Sequence, residues 1–120
     1  MPSRDVAADL RAFSEGLGAE VVFAIEAFGT RVAMVRLGQG PPQLLLAGHL
    51  EGERPVLVYR VDDLDAAVAE LQGRGVDAGP RLGIPHGPLH SFSLEGGQRV
   101  GLYELTRPGA AEHLAGRRDF

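Results

Sequence analysis

The sequence repeats one order of secondary structure with a constant offset of 58 residues, and no gap is needed to align the two copies. Asp5 aligns with Asp63, Phe13 with Leu71 and Leu44 with Leu102. Helical patterns meet helical patterns along this alignment, and apolar strand patterns meet strand patterns. Because repetition of one supersecondary unit constrains a fold strongly, the 120 residues are predicted to contain the same unit twice.

The first copy begins with a predicted helix over residues 5–17. Val6, Leu10, Phe13 and Leu17 recur at the spacing of one helical face. Ser3 or Asp5 is a suitable cap for its first turn. Three apolar, β-branched runs follow, which predict strands at 21–28, 31–37 and 43–49.

The second copy has the same order but begins with an additional strand at 55–61. A helix capped by Asp62 or Asp63 follows, with Leu64, Val68 and Leu71 on its apolar face. Further strands are predicted at 79–85, 88–94 and 99–105. Only Met1-Pro2-Ser3 matches strand 55–61 in the first copy. We therefore expect a first strand that is largely missing or that lies upstream, with the open strand edge covered by the tail TRPGAAEHLAGRRDF or by a second subunit.

Composition and charge exclude several classes of function. The chain has no cysteine, so disulfides and thiolate sites are excluded. The net charge of −4 has the wrong sign for general binding to nucleic acid. No run approaches the roughly 18 apolar residues of a membrane span, and the N-terminus lacks an apolar signal core. We expect a cytoplasmic protein that binds neither nucleic acid nor a membrane.

A βαβββ unit written twice resembles the vicinal oxygen chelate superfamily of glyoxalases, bleomycin-resistance proteins and extradiol dioxygenases. The resemblance rests on the LG of GLGAEV, on VYRVDDLDAAVAELQGRGV and on GGQRVGLYELTRP. It implies an α+β fold in which two tandem modules form a cupped mixed sheet, commonly in a homodimer. We expect a single domain over 1–120, with module one at 1–50, module two at 54–106 and a C-terminal tail at 107–120.

The resemblance also implies four positions for metal ligands, two in each module. They fall on Val56, Gly101, Gln43 and a position before Met1. Valine and glycine side chains have no donor atom, whereas a catalytic divalent site needs about three imidazole or carboxylate ligands. This chain is therefore identified as a metal-ligand-deficient member, with no cofactor expected.

Strand alternation assigns side chains to the two faces of the predicted sheet. Leu57, Tyr59 and Val61 are expected to pack beneath the helices, as are Val100 and Leu102. The side chains expected in the cup are Val56, Val58, Arg60, Arg99, Gly101 and Tyr103. Arg60 and Arg99 could pair with a carboxylate or phosphate of a ligand, or with Glu51, Glu53 or Glu104 across the strands.

His86 and His90 are the sharpest local feature, in the stretch IPHGPLHSF. Pro85, Gly87 and Pro88 exclude a helix, so the pair cannot form a helical metal site. The histidines either line the mouth of the cavity as ligand contacts or acid–base groups, or belong to an ordinary surface loop. Phe92 is predicted in the core, with the cavity wall as its alternative.

These features favour a small-molecule binding protein that uses no metal. Its predicted ligand-binding residues are Gln43, Val56, Val58, Arg60, His86, His90, Arg99, Gly101 and Tyr103. The alternative is a glyoxalase- or dioxygenase-like enzyme with a non-standard site that uses His86 or His90. A third possibility is an interaction protein whose dimer edges carry the function.

Overall fold

The computed structural model describes residues 1–27 and 29–120, which divide into two compact units. The first unit contains Met1–Glu53 together with Leu114–Phe120, and the second contains Arg54–His113. In each unit one helix precedes three consecutive strands. The α+β class and the repeated order of elements are confirmed.

The first unit packs helix α1 (Val6–Arg11) and its π-helical continuation (Ala12–Gly16) near a three-stranded antiparallel sheet. The strands are β1 (Glu20–Ala27), β2 (Thr30–Arg36) and β3 (Gln43–Ala47), with β2 in the centre. Asp5, not Ser3, caps the helix, because its carboxylate accepts a 3.0 Å hydrogen bond from the Ala8 N–H. Phe28, expected at the end of the first strand, lies outside the described residues.

The core of the first unit lies between α1 and one face of its sheet. Val6 and Leu10 form one cluster with the fully buried Ala33, Val35 and Leu46. The predicted helical face is confirmed at these two positions.

The second unit has a four-stranded mixed sheet in the order β4-β7-β6-β5. Its elements are β4 (Val56–Val61), α2 (Leu64–Gly73), β5 (Ala78–Ile84), β6 (Gly87–Ser93) and β7 (Arg99–Glu104). The β4–β7 pair is parallel and the other pairs are antiparallel. Asp63 caps α2 through the Ala66 N–H, and the Glu104 carboxylate accepts from the Leu64 N–H at 2.9 Å.

The core of the second unit lies beneath α2 and contains Leu64, Val68 and Phe92, which confirms Phe92 as a core residue. Val61 and Leu102 pack against it, as strand alternation predicted. The same prediction is wrong for Leu57 and Tyr59, which stay 46% and 55% exposed. The helix packs against β5, β6 and β7, so it does not cover the middle of β4.

The C-terminal tail lies along β1, at the edge of the first sheet opposite β3. The Ala24 N–H donates to the Arg117 carbonyl at 2.9 Å, and the Gly116 N–H donates to the Val22 carbonyl at 2.8 Å. The β3 edge instead pairs with residues 1–3, through the parallel bridge between Pro2 and Ala47. The tail was expected to cover the edge beside the missing strand, and this expectation is wrong because the tail covers the β1 edge instead.

Within residues 1–27 and 29–120, no helix has both the length and the apolar character to span a bilayer.

Candidate functional site

One face of the second sheet carries most of the predicted ligand-binding residues. In the ladder Val58 lies opposite Gly101, Arg60 opposite Tyr103, and Leu89 opposite Tyr103. These side chains point away from α2, because Val61 and Leu102, on the alternate positions, pack into the core beneath that helix. We call this surface the helix-free face, and its members are Val56, Val58, Arg60, Leu89, Ser91, Arg99, Gly101 and Tyr103.

Gly101 lies buried in the middle of this face, next to two aliphatic side chains. A Cβ atom placed there would lie 3.4 Å from Cδ1 of Leu89 and 3.6 Å from Cγ2 of Val58. A glycine within a strand often marks a close approach by a ligand or another backbone. The position where the resemblance implies a metal ligand is thus bounded by two aliphatic side chains, of which Val58 is 49% exposed.

His86 borders the same face at the turn between β5 and β6. Its ring lies edge-on to that of Tyr103, with 6.1 Å between centroids and 63° between planes. The His86 carbonyl accepts hydrogen bonds from the Thr106 and Arg107 N–H groups, both at 3.0 Å. These bonds fix the turn against the segment that follows β7, so the contact between His86 and Tyr103 has a rigid support.

Gly87 permits this arrangement because its backbone has φ = +151°, a conformation that other residues rarely adopt. A Cβ at this position would meet the Glu104 carbonyl oxygen and the Thr106 side chain. The start of β6 therefore approaches the end of β7 more closely than a side chain at residue 87 allows.

The two arginines of the helix-free face differ in their surroundings. The Arg99 guanidinium donates to the Arg54 carbonyl at 3.4 Å. Arg60 is exposed, and its guanidinium has no hydrogen bond or ion pair within the described part of the chain.

His90 lies on the other face of this sheet, and Gln43 belongs to the first unit. His90 pairs with Leu102 and alternates with Leu89 and Ser91, so it points toward the α2 side, where its Nδ1 atom is buried without a hydrogen-bond partner. Gln43 is exposed at the start of β3 in the first unit, opposite Arg36 in the ladder.

Leu89 is a member of the site that the sequence analysis missed. Strand alternation could have identified Leu89 from the sequence. Phe92 was predicted in the core, so alternation assigns His90 to the core side and Leu89 to the helix-free face.

The residues present do not fit the divalent metal site that the resemblance implies. Val56 and Gly101 offer no donor atom, and the atoms nearest a Cβ at Gly101 are aliphatic carbons of Leu89 and Val58. In residues 1–27 and 29–120, no group of three or more histidine, cysteine, aspartate or glutamate residues could hold a metal ion.

A cleft of about 820 Å³ lies in the first unit beside the start of α1. Its charged side chains are already engaged with each other or with neighbours. Arg4 pairs with Glu53 at 2.6 Å, and the Ser3 hydroxyl donates to the Asp9 carboxylate at 2.5 Å. Satisfied charges of this kind are typical of a solvated surface, so the helix-free face is the better candidate.

Solved structures show that the chain has the fold of methylmalonyl-CoA epimerase. Methylmalonyl-CoA epimerase from Mycobacterium tuberculosis aligns with a TM-score of 0.72 and 20% identity, over 92% of this chain and 87% of the epimerase. A hypothetical protein from Bacillus halodurans aligns with a TM-score of 0.70 and 13% identity, over 88% of this chain and 90% of that protein. The predicted fold is confirmed by these likenesses.

A third solved structure contains a bound molecule. It is a variant of Streptomyces coelicolor methylmalonyl-CoA epimerase in complex with 2-nitronate-propionyl-CoA. It aligns with a TM-score of 0.67 and 17% identity, over 88% of this chain and 90% of the epimerase. No family model matches the sequence. No curated protein matches it either.

Proposed function

We propose that this protein binds a small organic molecule on the helix-free face of its second sheet, without a divalent metal. The observation that carries the proposal is the apolar centre of this face, where Val58 and Leu89 flank Gly101, a position without a side chain. Small-molecule sites are mostly apolar with a few polar groups that orient the ligand. Here Tyr103, His86 and Arg60 supply the polar groups around an apolar centre.

The fold likeness supports binding of an organic ligand in general terms. A protein with the same fold holds 2-nitronate-propionyl-CoA. The absence of donor atoms at Val56 and Gly101 supports the metal-free part of the proposal.

A fluorescence titration with N-phenylnaphthylamine, a neutral apolar probe, tests this function in the presence of EDTA. Gly101→Leu adds a large side chain between Val58 and Leu89 in the middle of the face and should weaken probe binding about tenfold or more. Gly83→Leu is the matched control, because Gly83 is also a strand glycine but lies on the opposite face of the sheet. No atom lies within 4 Å of a Cβ placed at Gly83. Equal affinities of the wild type and Gly101→Leu, with both proteins folded by circular dichroism, would refute the site.

The contact between His86 and Tyr103 favours a second candidate, a metal-free enzyme in which His86 acts as a general base. His90 takes no part in this version, because it points to the other face. Turnover of a bound carbonyl compound that is lost in His86→Gln and retained in His90→Gln would establish it.

We further propose that the protein is a homodimer. Among the described residues strand β4 pairs only with β7, and Leu57, Val58 and Tyr59 along it are about half exposed. An unprotected apolar edge favours pairing with another strand. A cytoplasmic location, with neither nucleic acid nor membrane as a partner, stays a prediction from the sequence.

A further inference from the structure

The sequence has no lysine, so arginines are its permanently charged cationic side chains, and almost every arginine has a partner. In the described residues, each arginine except Arg11 and Arg60 donates a hydrogen bond or forms an ion pair. Arg11 lies on the exposed surface of α1. Arg60 is thus the arginine without a partner on the helix-free face.

Two carboxylates that could have neutralised Arg60 are engaged elsewhere. Glu53 pairs with Arg4 at 2.6 Å. Glu104 accepts the Leu64 N–H at the start of α2, on the other side of the sheet. For Arg60, the cross-strand pairing with Glu53 or Glu104 considered from the sequence is therefore wrong.

Arg60 also lies next to the groups that would contact a ligand. It is opposite Tyr103 in the ladder, and Val58, two residues earlier on the same face, is opposite Gly101. The distance between alternate residues of a strand is about 7 Å, which is comparable to the overall length of a small aromatic carboxylate.

We propose that the ligand of the helix-free face is an organic anion, whose carboxylate or sulfonate pairs with Arg60 while its apolar part lies over Gly101. This inference rests on the binding function proposed above and names the class of ligand. The guanidinium offers parallel N–H donors that match the two oxygens of such a group. The net charge of −4 acts against an anion only weakly, because charges beyond about 8 Å are largely screened at physiological salt.

Two probes that share one ring system separate the charge from the apolar contact. Anilinonaphthalene sulfonate carries a sulfonate, and N-phenylnaphthylamine has the same rings without it. Arg60→Gln should weaken binding of the sulfonate probe about tenfold more than binding of the neutral probe. Arg60→Lys should recover only part of the loss, because an ammonium group lacks the planar fork. Arg11→Gln, which removes the other unpartnered arginine, is the control and should change neither affinity.

The outcomes distinguish failure of this inference from failure of the proposed function. If Arg60→Gln leaves the sulfonate probe unaffected while Gly101→Leu still weakens the neutral probe, the anion class is wrong and the site stands. An equal loss in Arg60→Gln and Arg11→Gln would assign the effect to overall charge and overturn the inference. If neither probe responds to Gly101→Leu, the binding function fails and the inference fails with it.

Discussion

Single residues decide the chemistry that the second sheet can support. Val56 and Gly101 occupy positions at which the resemblance implies metal ligands, and neither side chain has a donor atom. Because residue 87 is glycine, the first residue of β6 can contact the end of β7. This contact places His86 beside Tyr103. The site is thus formed as much by the small residues as by the polar ones.

Replacing Gly87 by alanine should destabilise the protein strongly. The added Cβ would clash with the Glu104 carbonyl oxygen, and the positive φ would add strain. We expect a loss of about 2–4 kcal/mol in the free energy of unfolding, measured by urea denaturation. Gly83→Ala is the control, because its Cβ would meet no atom within 4 Å. Similar losses in the two variants would show that the close approach at Gly87 does not exist.

The same small residues predict that the protein does not retain divalent metal. Untagged protein dialysed separately against nickel, zinc, manganese and iron(II) should hold less than about a tenth of an equivalent of each, since about three imidazole or carboxylate ligands are needed. Elemental analysis provides the measurement. Near-stoichiometric uptake of one metal would show that the chain builds a site from other side chains.

At the scale of elements, the tail joins the first unit through backbone and side-chain hydrogen bonds. The Asp119 carboxylate accepts from the Glu26 N–H at 2.9 Å and pairs with Arg117 at 2.9 Å. These bonds hold the pKa of Asp119 below its ordinary value of 3.8, chiefly through the Arg117 hydrogen bond. Phe120 packs near the α1 core, with the Arg31 guanidinium 4.9 Å from its ring centroid.

Asp119 should therefore stabilise the fold at neutral pH and contribute less in acid. A carboxyl group whose pKa is lowered in the folded state contributes above its unfolded pKa, and the contribution is lost as the pH falls through the folded pKa. Chemical unfolding should show Asp119→Asn less stable than the wild type at pH 7, with the difference shrinking below about pH 4. Asp77→Asn is the control, since Asp77 lies on an exposed loop. A difference that stays constant or grows in acid contradicts the account.

Most elements could be predicted from the sequence, because their signals are local. Apolar periodicity placed both helices, and Asp63 was one of two cap candidates that the structure decides between. The position of the tail could not be predicted, since its pairing with β1 uses backbone groups far apart in sequence and GRRDF has no strand pattern. His90 was grouped with His86 by proximity in the chain, although alternation in β6 separates their faces.

At the scale of the whole molecule, the exposed edge at β4 predicts self-association. An antiparallel pairing of β4 about a two-fold axis through Val58 would keep the two Arg60 side chains from facing each other. Sedimentation equilibrium should give twice the chain mass of 12.7 kDa for the wild type. Leu57→Lys, which places a charge on this edge strand, should shift the equilibrium toward the monomer.

Leu94→Lys is the control for this experiment, because Leu94 is equally exposed at 46% and lies outside β4. A monomeric wild type, or a dimer that Leu57→Lys leaves intact, would contradict the assignment of β4 as the interface.

The central claim is that an organic ligand binds on the helix-free face without a metal. Amide chemical-shift mapping by NMR, with N-phenylnaphthylamine added in the presence of EDTA, tests it most directly. The account predicts saturable shifts that cluster at Val58, Arg60, Leu89, Gly101 and Tyr103. Shifts that are confined to the first unit, or that appear only after a divalent metal replaces the chelator, would contradict it.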